Sequence, residues 1–190
     1  MNAIDRWLVK FEARDAAAFD AEAHIPVFHR WIQQRRLPLV LIDVADYAHV
    51  PDGPGVLLVS HEYNIFADRF DGRPGLTVQR RMRGGGGAAS LVETLAIGLK
   101  AVQALTEEKA LPGSRFRLDS AEVVVNDRLR GPNDEEGWRA AEPAIREAAA
   151  RLYGKTAKVE RRDEDPGRRL AARISGDADH AGAMLLRLGA

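Results

Sequence analysis

Apolar and polar residues alternate along this chain in short runs, and the period of each run predicts its secondary structure. Ile4 to Ala13 alternates with a period of two residues, which predicts a half-buried strand. Val56 to Ala67 has the same period, and residues 76–82 predict an antiparallel neighbour after the turn FDGRPG. Leu39 to Val44 is almost continuously apolar, which predicts a strand buried on both faces at the centre of the sheet.

Other segments have signals typical of helices. Asp15 is a helix-starting residue before the alanine-rich AAAFDAEA, and Pro26 suits the first turn of a second helical run. A long apolar stripe predicts a helix over residues 90–110. Asn133, followed three residues later by glutamate, predicts the start of another helix. The spacing of apolar residues after Asp177 allows a short C-terminal helix.

The second half adds a strand near residues 123–125 and a hairpin of 158–162 and 169–174 around DEDPG. The order therefore has two βαββ-like halves joined by helix 90–110. Helices mixed with antiparallel hairpins predict an α+β fold, a two-layer sandwich of ferredoxin-like type. The patterns above define a mainly antiparallel sheet of about seven strands, which three helices cover. Residues 1–176 form a single domain, and 177–190 form a tail.

Three blocks of the chain resemble a family of bacterial conserved hypothetical proteins. They are IPVFHRWIQ (Ile25 to Gln33), LIDVADYAHVPDGPGVLLVSHE (Leu41 to Glu62) and VNDRL (Val125 to Leu129). The resemblance extends through most of the chain, from the first strand to the last hairpin, and so implies a single folding unit. It brings no activity, ligand or site residue with it.

Composition narrows the classes of function. The 190 residues include 28 Lys plus Arg and 28 Asp plus Glu, so the formal net charge is zero. Basic residues are interleaved with acids, which argues against a nucleic-acid or membrane-surface partner but tolerates a homo-oligomer or another protein partner. The absence of cysteine excludes disulfides, thiolate metal sites and a cysteine nucleophile. No signal peptide or long apolar run is evident, which predicts a cytoplasmic protein.

The strongest candidate chemistry lies around the loop HVPDGPG. Asp46, His49 and Asp52 lie in or beside it, and His61 and Glu62 follow on the next predicted strand. Carboxylates and imidazoles near a strand end suit a hard metal ion or an acid–base pair. However, His61 is five residues along the strand, roughly 17 Å at ~3.3 Å per residue. His49 and His61 would therefore share an ion only if the loop folded back.

The same residues have a structural interpretation. Asp46 and Asp52 flank a turn, where aspartate commonly accepts hydrogen bonds from nearby backbone amides. His61 lies on an apolar strand face and suits a buried, hydrogen-bonded core histidine. Asp43 lies within a run predicted to be buried, so its carboxylate must find a partner there or its pKa must rise.

A second candidate is the loop from Arg81 to Gly87, within RRMRGGGGAAS. Arg81 and Arg83, with the backbone amides of Gly84 and Gly85, could hold a phosphate at the start of the following helix. No Lys-Ser or Lys-Thr follows the glycines, so this is not a P-loop. A flexible connector is the structural alternative.

Three hypotheses stay open, and no cofactor motif assigns a cofactor to any of them. The favoured one is a non-catalytic binding or assembly module that uses the loop from Asp46 to Asp52 and the adjoining strand. The second is a metal-assisted or acid–base hydrolase built on the five candidate residues around that loop. The third is an anion or nucleotide binder at the arginine–glycine loop.

Overall fold

Eight antiparallel strands form one open sheet in the computed structural model, which describes residues 4–50, 53–82, 85–111, 114–162 and 165–190. The strands are β1 (Trp7–Glu12), β2 (Leu41–Tyr47), β3 (Gly55–Ser60), β4 (Tyr63–Asp68), β5 (Gly75–Arg80), β6 (Ser120–Val125), β7 (Lys158–Arg161) and β8 (Ala171–Ser175). Their spatial order is β2-β3-β4-β5-β1-β6-β8-β7. Strands β2 and β7 are therefore the two edges.

Four helices accompany the sheet: α1 (His24–Gln34), α2 (Gly87–Thr106), α3 (Glu135–Tyr153) and α4 (Ala181–Leu188). α1 packs on β2 and β3, α2 packs on β1 and β5, and α3 packs on β7 and β8. α4 packs on α2 and α3, and its apolar residues belong to the same core cluster as those of the sheet. The predicted α+β class with an antiparallel sheet is confirmed, with one strand and one helix more than predicted.

The helices cover one face of the sheet because alternate residues of the strands are large and apolar. On β1, Trp7, Val9 and Phe11 point toward the helices and are fully buried, whereas Leu8 and Lys10 belong to the opposite face. α2 approaches β1 closely at Gly98, where an added Cβ would lie 2.7 Å from a ring carbon of Phe11. No helix formed by the described residues covers the opposite face, which we call the open face.

α2 is the central helix of the core. Its 20 residues are long and apolar enough to cross a membrane by length and composition, a criterion that the sequence analysis expected no segment to meet. However, 67% of its most apolar window is buried inside the protein. Trp7 fastens the N-terminal end of this helix to β1, because its indole N–H donates to the hydroxyl of Ser90 over 2.9 Å.

Val56 to Ala67 is a hairpin, so the prediction of one continuous strand is wrong. β3 and β4 are joined by a two-residue turn at His61 and Glu62. The Ser60 hydroxyl stabilises this turn, because it donates to the carbonyl of Tyr63 and accepts from the Tyr63 amide. The inward-facing residues change from even to odd positions across the turn. A prediction that assumes one period-two pattern across the whole segment does not detect this change of phase.

The prediction that Leu39 to Val44 forms a central strand buried on both faces is also wrong. β2 pairs only with β3, and its residues are half-buried or exposed. A bulge between Leu41 and Asp43 leaves Ile42 without a partner in β3. Asp43 is exposed and accepts a hydrogen bond from the backbone amide of Val44 at 2.8 Å, so it needs no buried cation.

Two helix starts also differ from prediction. The segment after Asp15 forms turns rather than a helix, although this carboxylate accepts from the amides of Ala17 and Ala18 as a helix cap does. α1 begins only at His24. The cap of α3 is Asp134 rather than Asn133, and it accepts from the amide of Gly137 at 2.8 Å. Short polar side chains compete with helical hydrogen bonding in such segments, and sequence alone does not decide which of two neighbours caps.

Candidate functional site

The loop after β2 is held by hydrogen bonds within itself. Asp46 accepts from the backbone amide of Ala48 at 2.9 Å, and the amide of Val50 donates to the carbonyl of Tyr47 at 3.0 Å. Asp46 and His49 are both exposed. Asp52 lies outside the described residues. Asp46 therefore has the turn-forming contact of the structural interpretation, and its carboxylate lies at the surface.

His61 and Glu62 lie at the opposite end of β3 from that loop. Asp46 pairs with Val56 at the start of β3, whereas the turn with His61 follows Ser60 at its end. Five strand residues separate the two positions, about 17 Å at ~3.3 Å per residue. His61 is exposed, so the expectation of a buried core histidine is wrong. The four described candidates thus form two separate pairs.

No group of three or more His, Asp or Glu residues is arranged to hold a metal ion in the described part of the chain. Among the described candidates each pair offers two such side chains, and a protein site for a catalytic metal commonly uses three. The described candidates therefore give the metal-assisted hydrolase no support.

Arg81 of the predicted anion-binding loop has a structural contact. Its guanidinium donates to the carbonyl of Ser60 at 2.8 Å, and its backbone amide donates to the carbonyl of Glu62 at 2.8 Å. Both contacts fasten the end of β5 to the β3–β4 turn. Gly85 has a positive φ of 74°, and Arg83 and Gly84 lie outside the described residues. Phosphate binding at this loop stays a prediction.

Strand β2 and its flanks carry an unusual amount of exposed apolar surface. Four of the eight large apolar side chains exposed in the described residues lie here: Val40 (72% exposed), Ile42 (54%), Tyr47 (43%) and Val50 (39%). We call this set the β2 surface. Scattered exposed apolar residues are normal, but a cluster on one edge strand marks a candidate interaction site.

A cleft adjoins each end of the β2 surface. One has a volume of about 690 Å³ and lies between the end of α1 and β2, with Leu37, Val40 and His61 in its lining. The other has a volume of about 520 Å³. It is lined by Phe19, by Tyr47 at the end of β2 and by residues of the loop that follows β2. Both clefts include residues of the segment that the sequence analysis selected.

The open face contains a buried ion pair that the sequence analysis missed. Lys10 on β1 contacts the carboxylate of Asp68 at the end of β4, and both side chains are almost completely buried. Asp68 also accepts from the amide of Phe70 at 2.9 Å. Burial raises the pKa of Asp68, whereas the nearby Lys10 ammonium lowers it. The Phe70 ring lies beside Lys10, with the ammonium 5.7 Å from the ring centre.

A histidine–serine contact connects α1 to the segment that follows α2. His24 Nδ1 lies 2.8 Å from the carbonyl oxygen of Asp20, and Nε2 lies 3.0 Å from the hydroxyl of Ser114. A carbonyl can only accept, so Nδ1 carries the proton and the neutral Nε2 accepts from Ser114. Burial lowers the pKa of His24. Both side chains are buried, and the contact holds α1 against the segment after α2.

A cavity of about 980 Å³ lies between α2, the segment before β6 and the start of α4. Its charged lining is mixed in sign. Arg117 binds Asp119 over 2.8 Å, and Arg14 donates to the carbonyl of Phe116 over 3.1 Å. These contacts hold the segment before β6 in place.

No protein-family model matches this chain, and no curated protein is detectably similar to it. The fold and surfaces define an α+β protein with an open antiparallel sheet, an apolar edge strand and one uncovered face.

Proposed function

We propose that this protein is a non-catalytic assembly module that binds a second copy of itself through the β2 surface. The observation that carries the proposal is the concentration of exposed apolar side chains on one edge strand, from Val40 to Val50. Burying such side chains against another chain removes apolar area from water at roughly 25 cal/mol per Å². The clefts at the two ends of β2 provide places where a partner's side chains can insert.

The geometry of β2 favours a contact made by side chains over a continued sheet. The bulge at Ile42 interrupts the ladder of backbone groups that an incoming strand would need. The apolar side chains on either side of the bulge remain available for packing. A formal net charge of zero also keeps the long-range repulsion between two copies weak.

The non-catalytic part of the proposal rests on the separation of the polar candidates. Acid–base catalysis requires its groups within hydrogen-bond reach of one substrate. Asp46 and His49 lie at one end of β3, and His61 and Glu62 lie at the other. A cytoplasmic location is part of the same proposal, and it is compatible with the cysteine-free composition.

Sedimentation velocity over a range of protein concentrations tests this proposal. The wild-type protein should sediment with a mass above the monomer value of 20.9 kDa, with a dimer fraction that grows with concentration. Ile42→Lys should shift the equilibrium toward monomer, because it places an ammonium in the apolar contact. Leu186→Lys is the matched control, because Leu186 is 79% exposed on α4, away from β2. A strictly monomeric wild-type protein, or equal effects of both variants, would refute the proposal.

Salt dependence distinguishes a second copy from a basic protein partner. Asp43 and Asp46 are exposed on β2, so a symmetric interface brings like charges toward each other. Added salt screens this repulsion, with a Debye length of about 10 Å at 0.1 M, and should strengthen self-association. Association that weakens as salt is added would instead indicate that these aspartates attract a basic surface.

A further inference from the structure

The open face forms a groove of about 920 Å³ above β1, β6 and β8. Apolar side chains, including Leu8 and Val124, lie in its floor. Phe70 and Arg73, from the connection between β4 and β5, line it at one end. Arg128 and the connection between β7 and β8 line it at the other, where the guanidinium of Arg128 donates to the carbonyl of Pro166 at 2.9 Å. The groove is therefore bounded at both ends.

Acidic side chains neutralise Lys10 and Arg73 of the groove. Lys10 is paired with the buried carboxylate of Asp68. Arg73 donates to Glu12 over 3.0 Å and also to Glu122, and the hydrogen bond to Glu122 is the main cause that raises the pKa of Arg73. These groups form ion pairs with one another. They therefore hold the floor of the groove in place and contribute little net charge to the binding of a ligand.

The described side chains at the end next to the β7–β8 connection are mainly cationic. Among the described residues, seven cationic and three acidic side chains line the groove, in a chain whose formal net charge is zero. Arg128, Arg162 and Arg169 are exposed there, and none forms an ion pair with an acidic side chain in the part of the chain that the structure describes. Asp165, in the same connection, directs one carboxylate oxygen at the amide of Gly167.

The other end offers an aromatic surface. Phe70 is 39% exposed, and its ring is fixed by an edge contact with Phe66, at 6.5 Å between ring centres. Phe70 lies beside Lys10 of β1, whereas Arg128 follows the end of β6, which pairs with Trp7 of β1. Lys10 and Trp7 are three residues apart on β1, so the two ends of the groove are separated by about 10 Å at ~3.3 Å per residue.

We propose that this groove binds a small molecule in which a flat ring is joined to two or more phosphate groups, as in a nucleoside di- or triphosphate. The ring lies against Phe70, and the phosphates lie among Arg128, Arg162 and Arg169, whose planar guanidinium groups suit phosphate oxygens. The volume is within the usual range of about 300–1,000 Å³ for small-molecule sites. Because both ends are bounded, a compact ligand fits better than a continuous polynucleotide strand.

The inference is independent of the proposed assembly. The groove lies over β1, β6 and β8, and three strands of the sheet separate β1 from β2. A protein that fails to self-associate could still bind the ligand, and a dimer could lack this binding. The two proposals therefore fail separately.

Isothermal titration calorimetry of the full chain in about 0.1 M salt tests the groove with three probes: adenosine triphosphate, inorganic tripolyphosphate and adenosine. We expect one saturable site for adenosine triphosphate, weaker binding of tripolyphosphate and the weakest binding of adenosine. Arg162→Gln combined with Arg169→Gln should weaken the binding of adenosine triphosphate at least tenfold, because two charge-assisted contacts are lost. Arg151→Gln is the matched control, since Arg151 forms a surface pair with Glu147 on α3.

Phe70→Leu separates ring recognition from charge. It should weaken binding of adenosine triphosphate several-fold and leave tripolyphosphate unchanged. No saturable binding of adenosine triphosphate, or an equal loss in the Arg151→Gln control, would overturn the proposal. Equal affinities for adenosine triphosphate and tripolyphosphate would overturn the role of Phe70. Tighter binding of a short single-stranded oligonucleotide than of adenosine triphosphate would overturn the small-molecule assignment.

Discussion

Replacing Lys10 with methionine should destabilise the fold, because it leaves the carboxylate of Asp68 buried without its cation. Both members of this pair are almost completely buried on the open face. Removing one partner of a buried ion pair typically costs about 3–5 kcal/mol of unfolding free energy. For a chain of this size, each kcal/mol lowers the melting temperature by about 2–4 °C, so we expect a drop of about 6–20 °C.

The cost should depend on pH in a defined direction. Burial already raises the pKa of Asp68 despite Lys10, and loss of the ammonium raises it further. The folded state then binds a proton more tightly than the unfolded state does. The free energy of unfolding of Lys10→Met therefore increases as pH falls from the folded pKa toward the unfolded value of about 3.9. The maximum slope for one proton is about 1.4 kcal/mol per pH unit.

Urea unfolding at several pH values between 5 and 8 measures this effect. The double variant Lys10→Met with Asp68→Asn is the control, because asparagine removes the charge and keeps an oxygen that can accept from the Phe70 amide. It should recover most of the lost stability at pH 7 and lose the pH dependence. A loss of less than about 1 kcal/mol of unfolding free energy in Lys10→Met at every pH would refute the reasoning, since a buried charge without a partner destabilises a fold by more than this.

Three further changes test other contacts of the fold. Stability should fall as pH drops below 6.5, the ordinary pKa of histidine, because burial lowers the pKa of His24 in the folded state. His24→Gln should reduce this slope in urea unfolding at several pH values. Gly98→Ala should destabilise by about 1–3 kcal/mol in urea unfolding, because its Cβ would meet Phe11. Asp134→Ala should cost about 1 kcal/mol through loss of the α3 cap, measured the same way.

The class of fold could be predicted because its signals are local. The β7–β8 hairpin was predicted from two short runs around a turn, and α2 was predicted from its apolar residues within three or four positions of the observed limits. Each of these elements is specified by neighbours in the sequence. Antiparallel pairing of hairpins then follows from short connections.

Position within the sheet could not be predicted in the same way. A continuous apolar run such as Leu39 to Val44 fits a central strand, yet β2 is an edge whose apolar side chains are partly exposed. The turn at His61 contains neither glycine nor proline. The hairpin around it was therefore predicted as one strand. The separation of about 17 Å between the candidate residues at the two ends of β3 was predicted, because it follows from a rise of ~3.3 Å per residue.

The groove proposed as a ligand site depends on long-range contacts. The groove on the open face combines Phe70, Arg128 and Arg169, which are far apart in the sequence and meet only in the folded sheet. The pairing of His24 with Ser114 joins residues 90 positions apart. No local period or motif connects such residues, so sequence alone gave no reason to consider them together.

A distance measurement between two copies tests the assembly proposal most directly. The chain contains no cysteine, so Asp43→Cys provides a single, exposed site for a spin label. If a two-fold axis passes anywhere along β2, the two labelled positions are at most eight residues apart along the strands, about 26 Å at ~3.3 Å per residue. Pulsed electron paramagnetic resonance should therefore give a short distance for Asp43→Cys and a much longer one for Leu186→Cys. A short distance for Leu186→Cys alone, or no intermolecular distance for either label, would contradict assembly through β2.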